Sequence, residues 1–153
     1  MYVALRIELA ADADHVWNML RSPEAAAEIY APVMILHPET DPPARWSTGD
    51  AVTVRLTSLG IPVGRQLIDV RLRRRGTTRI FEDVGKPLSG ALARVTSWRH
   101  RMAVTPLGDG RCIYRDRLDV SAGPLTPLLW IGLWTVWQWR GARIRRLATA
   151  PTP

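Results

Sequence analysis

The chain of 153 residues has one cysteine, Cys112, one lysine, Lys86, and one phenylalanine, Phe81. A lone cysteine excludes an internal disulfide. The opening residues 1–7 are too short and too alternating for the apolar core of a secretory signal. Together these features point to a reducing, cytoplasmic setting. No apolar run reaches the ~20 residues that a membrane span needs. The longest, residues 125–139, is broken by Thr and Gly. The three histidines, His15, His37 and His100, stand far apart, with no metal-ligand spacing around them. No glycine-rich phosphate loop sits between a strand and a helix. There are no heptads and no repeats. On these grounds no metal and no cofactor is expected.

What is present is ordinary in bulk and unusual in two respects. Hydrophobic residues make up 46% and charged residues 23%, which excludes wholesale disorder. The length suits one domain, taken as residues 1–150 with a disordered tail at 151–153. The first oddity is charge: 21 basic against 14 acidic residues give a net +7, and all the basic residues but Lys86 are arginine. The second is seven tryptophans.

Along the chain, residues 2–9 read as a strand. Asp12 is a helix cap ahead of Val16, Trp17, Met19 and Leu20. Ser22-Pro23 is a second start signal, for a short helix over residues 24–28. Residues 33–37 read as a strand and 38–50, with three prolines, as a loop. From residue 51 the hydrophobic period becomes two. Val52, Val54 and Leu56 alternate with Thr53 and Arg55; a turn follows at 59–64; and Ile68, Val70 and Leu72 alternate with Asp69, Arg71 and Arg73. Residues 77–84 form another strand and 85–91 a loop. Residues 92–105 and 111–121 are long strands joined by Gly108-Asp109-Gly110, a hairpin signal. Thr126-Pro127 then caps a helix of some 20 residues. Trp130, Trp134, Trp137, Gly141, Ile144 and Ala148 recur along it at steps of three and four. The expected fold is therefore α+β: a curved antiparallel sheet of six to seven strands, two short helices after the first strand, and a long C-terminal helix covering the concave face.

This order resembles the START-like, Bet v 1-like superfamily, also called SRPBCC or polyketide cyclase/dehydrase-like. The stretches that carry the resemblance are IELAADADHVWNML, ARWSTGD, LGIPVGRQLIDV, SWRHRMAVTPLGDGRCIYRDRLDVSAGPLTPLLW and WQWRGARIRRLA. They span nearly the whole chain and are specific for the superfamily rather than for an activity. The chain departs from the pattern at 85–97, where the connection before Trp98 is longer. The resemblance implies a helix-grip fold with an internal cavity for an apolar or amphipathic small molecule.

Strand parity assigns the residues of that cavity. Trp98, His100, Met102 and Val104 share a face, with Arg94 near the strand's start, while Arg99, Arg101 and Ala103 take the other. On the partner strand Cys112, Tyr114, Asp116, Leu118 and Val120 share a face. The apolar sets must face inward, and they carry His100, Tyr114 and Asp116 with them. A turn at 108–110 sets Asp116 opposite Met102 and diagonal to His100. A buried carboxylate needs a partner. The pair thus has three readings: two inward polar groups satisfying each other, a polar anchor for a ligand, or a general acid/base pair. Phe81 and Asp83 share one face and Ile80 and Glu82 the other; parity alone does not say which is inward. Cys112 reads as an inert buried thiol. The candidate ligand wall is Val54, Ile68, Val70, Trp98, His100, Met102, Tyr114, Asp116, Leu118, Trp130, Trp134 and Trp137, with His100 and Asp116 the candidate catalytic groups.

The arginines fall on the other parity. Arg71, Arg73, Arg75, Arg99, Arg101, Arg115 and Arg117 decorate the outer sheet face, opposed by Asp69, Glu82 and Asp119. This reads as a solvated face, and no specific nucleic-acid contact is expected, since no exposed aromatics are interleaved with these residues. Trp139 lies on a separate helix face beside Arg143 and Arg146. If exposed, it would serve a peripheral membrane or partner contact; otherwise arginine stems cover it. The expected occupant is a small hydrophobic molecule: a lipid, polyketide or sterol-like compound that is bound or transported. A cyclase/dehydratase-like enzyme using the same cavity, and a membrane-surface or partner-binding module, are the alternatives.

Overall fold

The computed structural model describes residues 1–149; the expected tail at 151–153 lies outside the described residues. Strand β1 (Tyr2–Leu9) is followed by helices α1 (Ala13–Leu20) and α2 (Pro23–Tyr30). Strands β2 (Met34–Pro38), β3 (Ala51–Ser58), β4 (Ile61–Arg75), β5 (Thr78–Asp83) and β6 (Lys86–Gly90) come next. A 3₁₀ turn (Ala91–Arg94), β7 (Ser97–Gly108), β8 (Arg111–Ser121) and helix α3 (Thr126–Ala148) complete the order. All ladders are antiparallel, in the spatial order β1-β8-β7-β5-β4-β3-β2, with β6 paired to β4.

The local signals act as the sequence indicates. The Asp12 carboxylate accepts from the Asp14 N–H, and the Ser22 hydroxyl from the Ala25 N–H, each satisfying a free helix-end donor. The β7–β8 turn sets the expected register, with His100 opposite Leu118 and Met102 opposite Asp116. One cap differs. Leu125 is the N-cap residue of α3, and the Thr126 hydroxyl instead accepts from Ala122 N–H and donates to Gly123 C=O, tying the helix start to the chain before it.

The segment 85–97 also departs from expectation. Residues 86–90 form an eighth strand, and the long strand expected from 92 begins only at Ser97. Lys-Pro-Leu-Ser-Gly has no hydrophobic alternation to announce a strand. It pairs because glycines let two backbones close up: a Cβ on Gly64 would lie 2.0 Å from the Ser89 carbonyl oxygen. Arg94 is in consequence on an exposed 3₁₀ turn rather than on the inward face of β7.

Helix α3 packs on the β1 edge. A Cβ at Gly141 would touch Leu5 Cδ2 at 3.4 Å, so the small residue sets the close approach there. Two apolar clusters result. One, with Val16, Val70, Val104, Tyr114 and Ile144, lies between α1 and the sheet. The other, with Val3, Leu118, Val120, Leu133 and Trp137, lies under the first half of α3. Because α3 rests on the β1–β8 side, the curved strands β3, β4, β5 and β7 face it across a gap.

Candidate functional site: an apolar cavity with a few polar positions

That gap is a cavity of about 290 Å³, close to the lower end of the ~300–1,000 Å³ typical of small-molecule sites. Its sheet wall is Val52, Val54, Leu56, Ile68, Phe81, Met102 and Trp98; its roof is Leu129, Leu133, Val136 and Trp137 of α3. Helix α2 closes one side with Ala26, Ala27, Ile29 and Tyr30, and Trp46 closes another. Glu24, Ala27 and Pro38, exposed members of the lining, mark its mouth.

Of the residues singled out from the sequence, Val54, Ile68, Trp98, His100, Met102 and Trp137 line this space. The others lie elsewhere, for identifiable reasons. Val70 and Leu118 are fully buried in the packed core. Tyr114 and Asp116 lie behind the wall, covered by Arg140 and His100. Trp130 donates its indole N–H to the Tyr2 carbonyl at 2.7 Å and packs on the second apolar cluster, away from the cavity. Trp134 is 49% exposed. The tryptophan stripe therefore splits: Trp134 lies at the exposed edge of the stripe, Trp130 packs on the second apolar cluster, and of the three only Trp137 lines the cavity.

Behind the wall, Asp116 is the hub of a buried network. Its Oδ1 accepts from His100 Nε2 at 2.7 Å and Trp137 Nε1 at 3.2 Å. Its Oδ2 accepts from the Tyr114 hydroxyl at 2.6 Å and from Arg140 Nη2 at 2.8 Å and Nε at 3.2 Å. Burial alone pushes the Asp116 carboxyl up, but the Arg140 charge, then His100 and the hydrogen bonds of His100 and Tyr114, outweigh it and hold the carboxyl well below the ordinary carboxylate value. Burial pushes the Tyr114 hydroxyl up. Arg140 stacks on the Tyr30 ring, 4.4 Å from its centre. Burial likewise pushes the Tyr30 hydroxyl up to about 12. An ionised carboxylate can only accept, so His100 Nε2 carries the hydrogen in that contact, and Nδ1 is left as the ring's other nitrogen, on a ring that lines the cavity.

Parity left Phe81 and Asp83 open, and the structure turns both inward. Asp83 Oδ1 accepts from the N–H groups of Asp69 and Gly85, and Oδ2 from Trp98 Nε1 at 3.4 Å. Burial pushes the Asp83 carboxyl up, in the opposite sense to Asp116. Glu82 faces outward, within 4 Å of Arg73, Arg99 and Arg101, which gathers part of the arginine excess around one carboxylate.

Sequence reasoning missed Arg140, Tyr30, Trp46 and Gln66. Arg140 was within reach of it: it lies three residues after Trp137 and four before Ile144, on the buried face. Gln66 shares parity with Ile68 and Val70, and is 4% exposed. Trp139, by contrast, is no free surface residue. Its indole donates to the Ala31 carbonyl at 3.1 Å, and Arg143 beside it reaches Glu28. The exposed apolar surface of α3 lies instead at its start, on Leu125, Leu128, Ile131 and Trp134. No described helix is long and apolar enough to cross a membrane.

No family model and no curated protein matches the sequence. Solved structures do match in shape. A protein from Arthrobacter aurescens superposes with a TM-score of 0.72 at 15% identity, over 99% of this chain and 87% of its own. A START superfamily protein from Mycobacterium smegmatis gives 0.68 at 16%, over 96% of each chain. Norcoclaurine synthase from Thalictrum flavum, in complex with dopamine and hydroxybenzaldehyde, gives 0.67 at 15%, over 99% of this chain and 89% of its own. The chain has the START-like, Bet v 1-like helix-grip fold.

Proposed function

We propose that residues 1–150 form one domain that binds an apolar or amphipathic small molecule, a lipid, polyketide or sterol-like compound, inside the cavity. The observation that carries this reading is the cavity itself: a walled, almost wholly apolar space between the concave sheet and α3, in a fold whose solved neighbours include a protein holding two small aromatic compounds. The test is to pass a cell lipid extract over purified protein and record native mass spectra. A retained small molecule is expected, and Ala27→Trp, placed at the mouth, should reduce its retention. A chain that emerges bare from every extract overturns the reading.

A second reading, acid–base chemistry of the cyclase/dehydratase kind, is favoured by one observation. The His100 ring lines the cavity while Asp116 fixes its Nε2. This is the orientation in which Nδ1 could take a proton from a bound molecule. Nitrogen NMR of His100 should show the Nε2–H form and an Nδ1 signal that a cavity-filling compound perturbs. An Nδ1 signal that no cavity-filling compound moves removes this reading.

A peripheral contact with an anionic bilayer would use the start of α3, not Trp139. Leu125, Leu128, Ile131 and Trp134 are exposed there, near Tyr2, whose ring carries Arg117 at 4.1 Å. Co-sedimentation with phosphatidylserine vesicles that is unchanged by Ile131→Ser with Trp134→Ser excludes it.

A further inference from the structure

Gln66 lies on the concave face of β4, opposite Val54 of β3 and, on its other side, Pro87 of β6. Its side chain lines the cavity and is 4% exposed. Neither its amide nitrogen nor its amide oxygen has a hydrogen-bond partner among the described residues. Buried polar groups are normally paired, so an unpaired donor and acceptor side by side on an apolar wall are complementary to something brought in from outside. The cation in the cavity lining does not answer it, since Arg140 is taken up by Asp116. Asp83 and His100 sit at another level of the sheet. Val70 pairs with Asp83, and Gln66 is four residues further along β4, about 13 Å at ~3.3 Å per residue.

We infer that Gln66 recognises the head group of the bound molecule, and that this head group is neutral and presents a donor and an acceptor on one edge, as a primary amide, a lactam or a protonated carboxylic acid does. The carboxamide of Gln66 then makes two hydrogen bonds with that edge, and the apolar body runs along Ile68, Phe81 and Met102 toward Trp137. A carboxylate head would meet only one donor there and no free cation, and would leave its charge buried. A purely apolar molecule would leave both amide atoms unpaired. The inference rests on the cavity being a ligand site, and it adds what the ligand must carry.

The experiment is displacement of the neutral dye N-phenyl-1-naphthylamine from the full chain by decanamide, by N,N-dimethyldecanamide, which lacks the N–H, and by decanoate at neutral pH. Wild type should bind the dye and release it to decanamide at roughly 10- to 100-fold lower concentration than to the other two, the scale of one buried hydrogen-bonded group. Gln66→Leu and Gln66→Met, which keep the wall apolar and close to its original size, should bind the dye and lose that preference. Dye binding with the same ranking in wild type and both variants overturns the role of Gln66 and leaves the cavity reading standing. A wild type that binds neither dye nor decanamide overturns both.

Discussion

Asp116 and Gln66 are buried to nearly the same degree, 1% and 4% exposed, with side chains on the same side of one sheet. Asp116 accepts hydrogen bonds from four side chains on two strands and one helix. Gln66 has no partner for either amide atom among the described residues. A saturated polar hub locks sheet to helix and has nothing left to offer a ligand. An unsaturated polar group contributes little to the fold and presents its whole hydrogen-bonding capacity to the cavity. Burial alone does not separate the two roles; the count of partners does.

The largest expected effect comes from breaking the hub. Asp116→Ala leaves the Arg140 guanidinium buried without a counter-charge and strands the donors of His100, Tyr114 and Trp137. Loss of one partner of a buried pair costs about 3–5 kcal/mol, so urea unfolding should show a loss on that scale. Arg140→Met should cost a similar amount, because it strands the carboxylate instead. The double variant should cost less than the sum, and a cycle showing simple additivity would contradict a single coupled network.

Acidification attacks the same hub with a defined sign. The folded Asp116 carboxyl lies below its unfolded value. Its contribution is complete above the ordinary carboxylate value and is lost as pH falls from there through the folded value. Asp83, raised when folded, acts oppositely: it costs stability above its raised value and ceases to do so as pH falls toward the ordinary one. Stability measured against pH should therefore fall steeply only on the strongly acidic side, and Asp116→Asn should flatten that limb. An acid limb identical in Asp116→Asn and wild type would show that the hub does not govern it.

A smaller loss is expected from Tyr114→Phe, which deletes the 2.6 Å hydrogen bond to Asp116 and leaves the other three side chains in place. Hydrogen bonds to charged groups contribute about 1.5–3 kcal/mol. Chemical denaturation of this variant should fall in that range, well short of Asp116→Ala.

How much of this contrast the sequence carried follows from which signals are local. Strand parity and the Gly-Asp-Gly turn placed Asp116 opposite Met102 and within reach of His100, because a two-residue period and a tight turn fix both faces and register. The Arg140 partner was a matter of helical spacing, obscured because a charged residue among tryptophans reads as surface. The strand at 86–90 was illegible: its pairing depends on glycine clearance against a strand some twenty residues away, not on its own pattern. The outward turn of Trp134 depended on how α3 rolls against β1, which no helical wheel specifies. Gln66 carried the right parity, but its defining property, having no partner, exists only once its neighbours are in place.

The smallest effect expected is also the one with the opposite sign. Gln66→Leu removes two unpaired polar atoms from an apolar wall and adds branched hydrocarbon beside Val54 and Ile68. In the unfolded chain the amide is hydrated, and in the ligand-free folded chain no group among the described residues replaces that hydration. The substitution should therefore raise the stability of the ligand-free protein, by about 1 kcal/mol, the scale of one unsatisfied buried group. On the reading of Gln66 as a head-group contact, the stability forgone in the free protein is recovered in the complex, where the amide is paired. Thermal unfolding of the two ligand-free proteins decides the matter. A clear loss of stability in Gln66→Leu would mean that the amide is already paired in the free protein, and the contrast with Asp116 would then collapse into two versions of the same structural role.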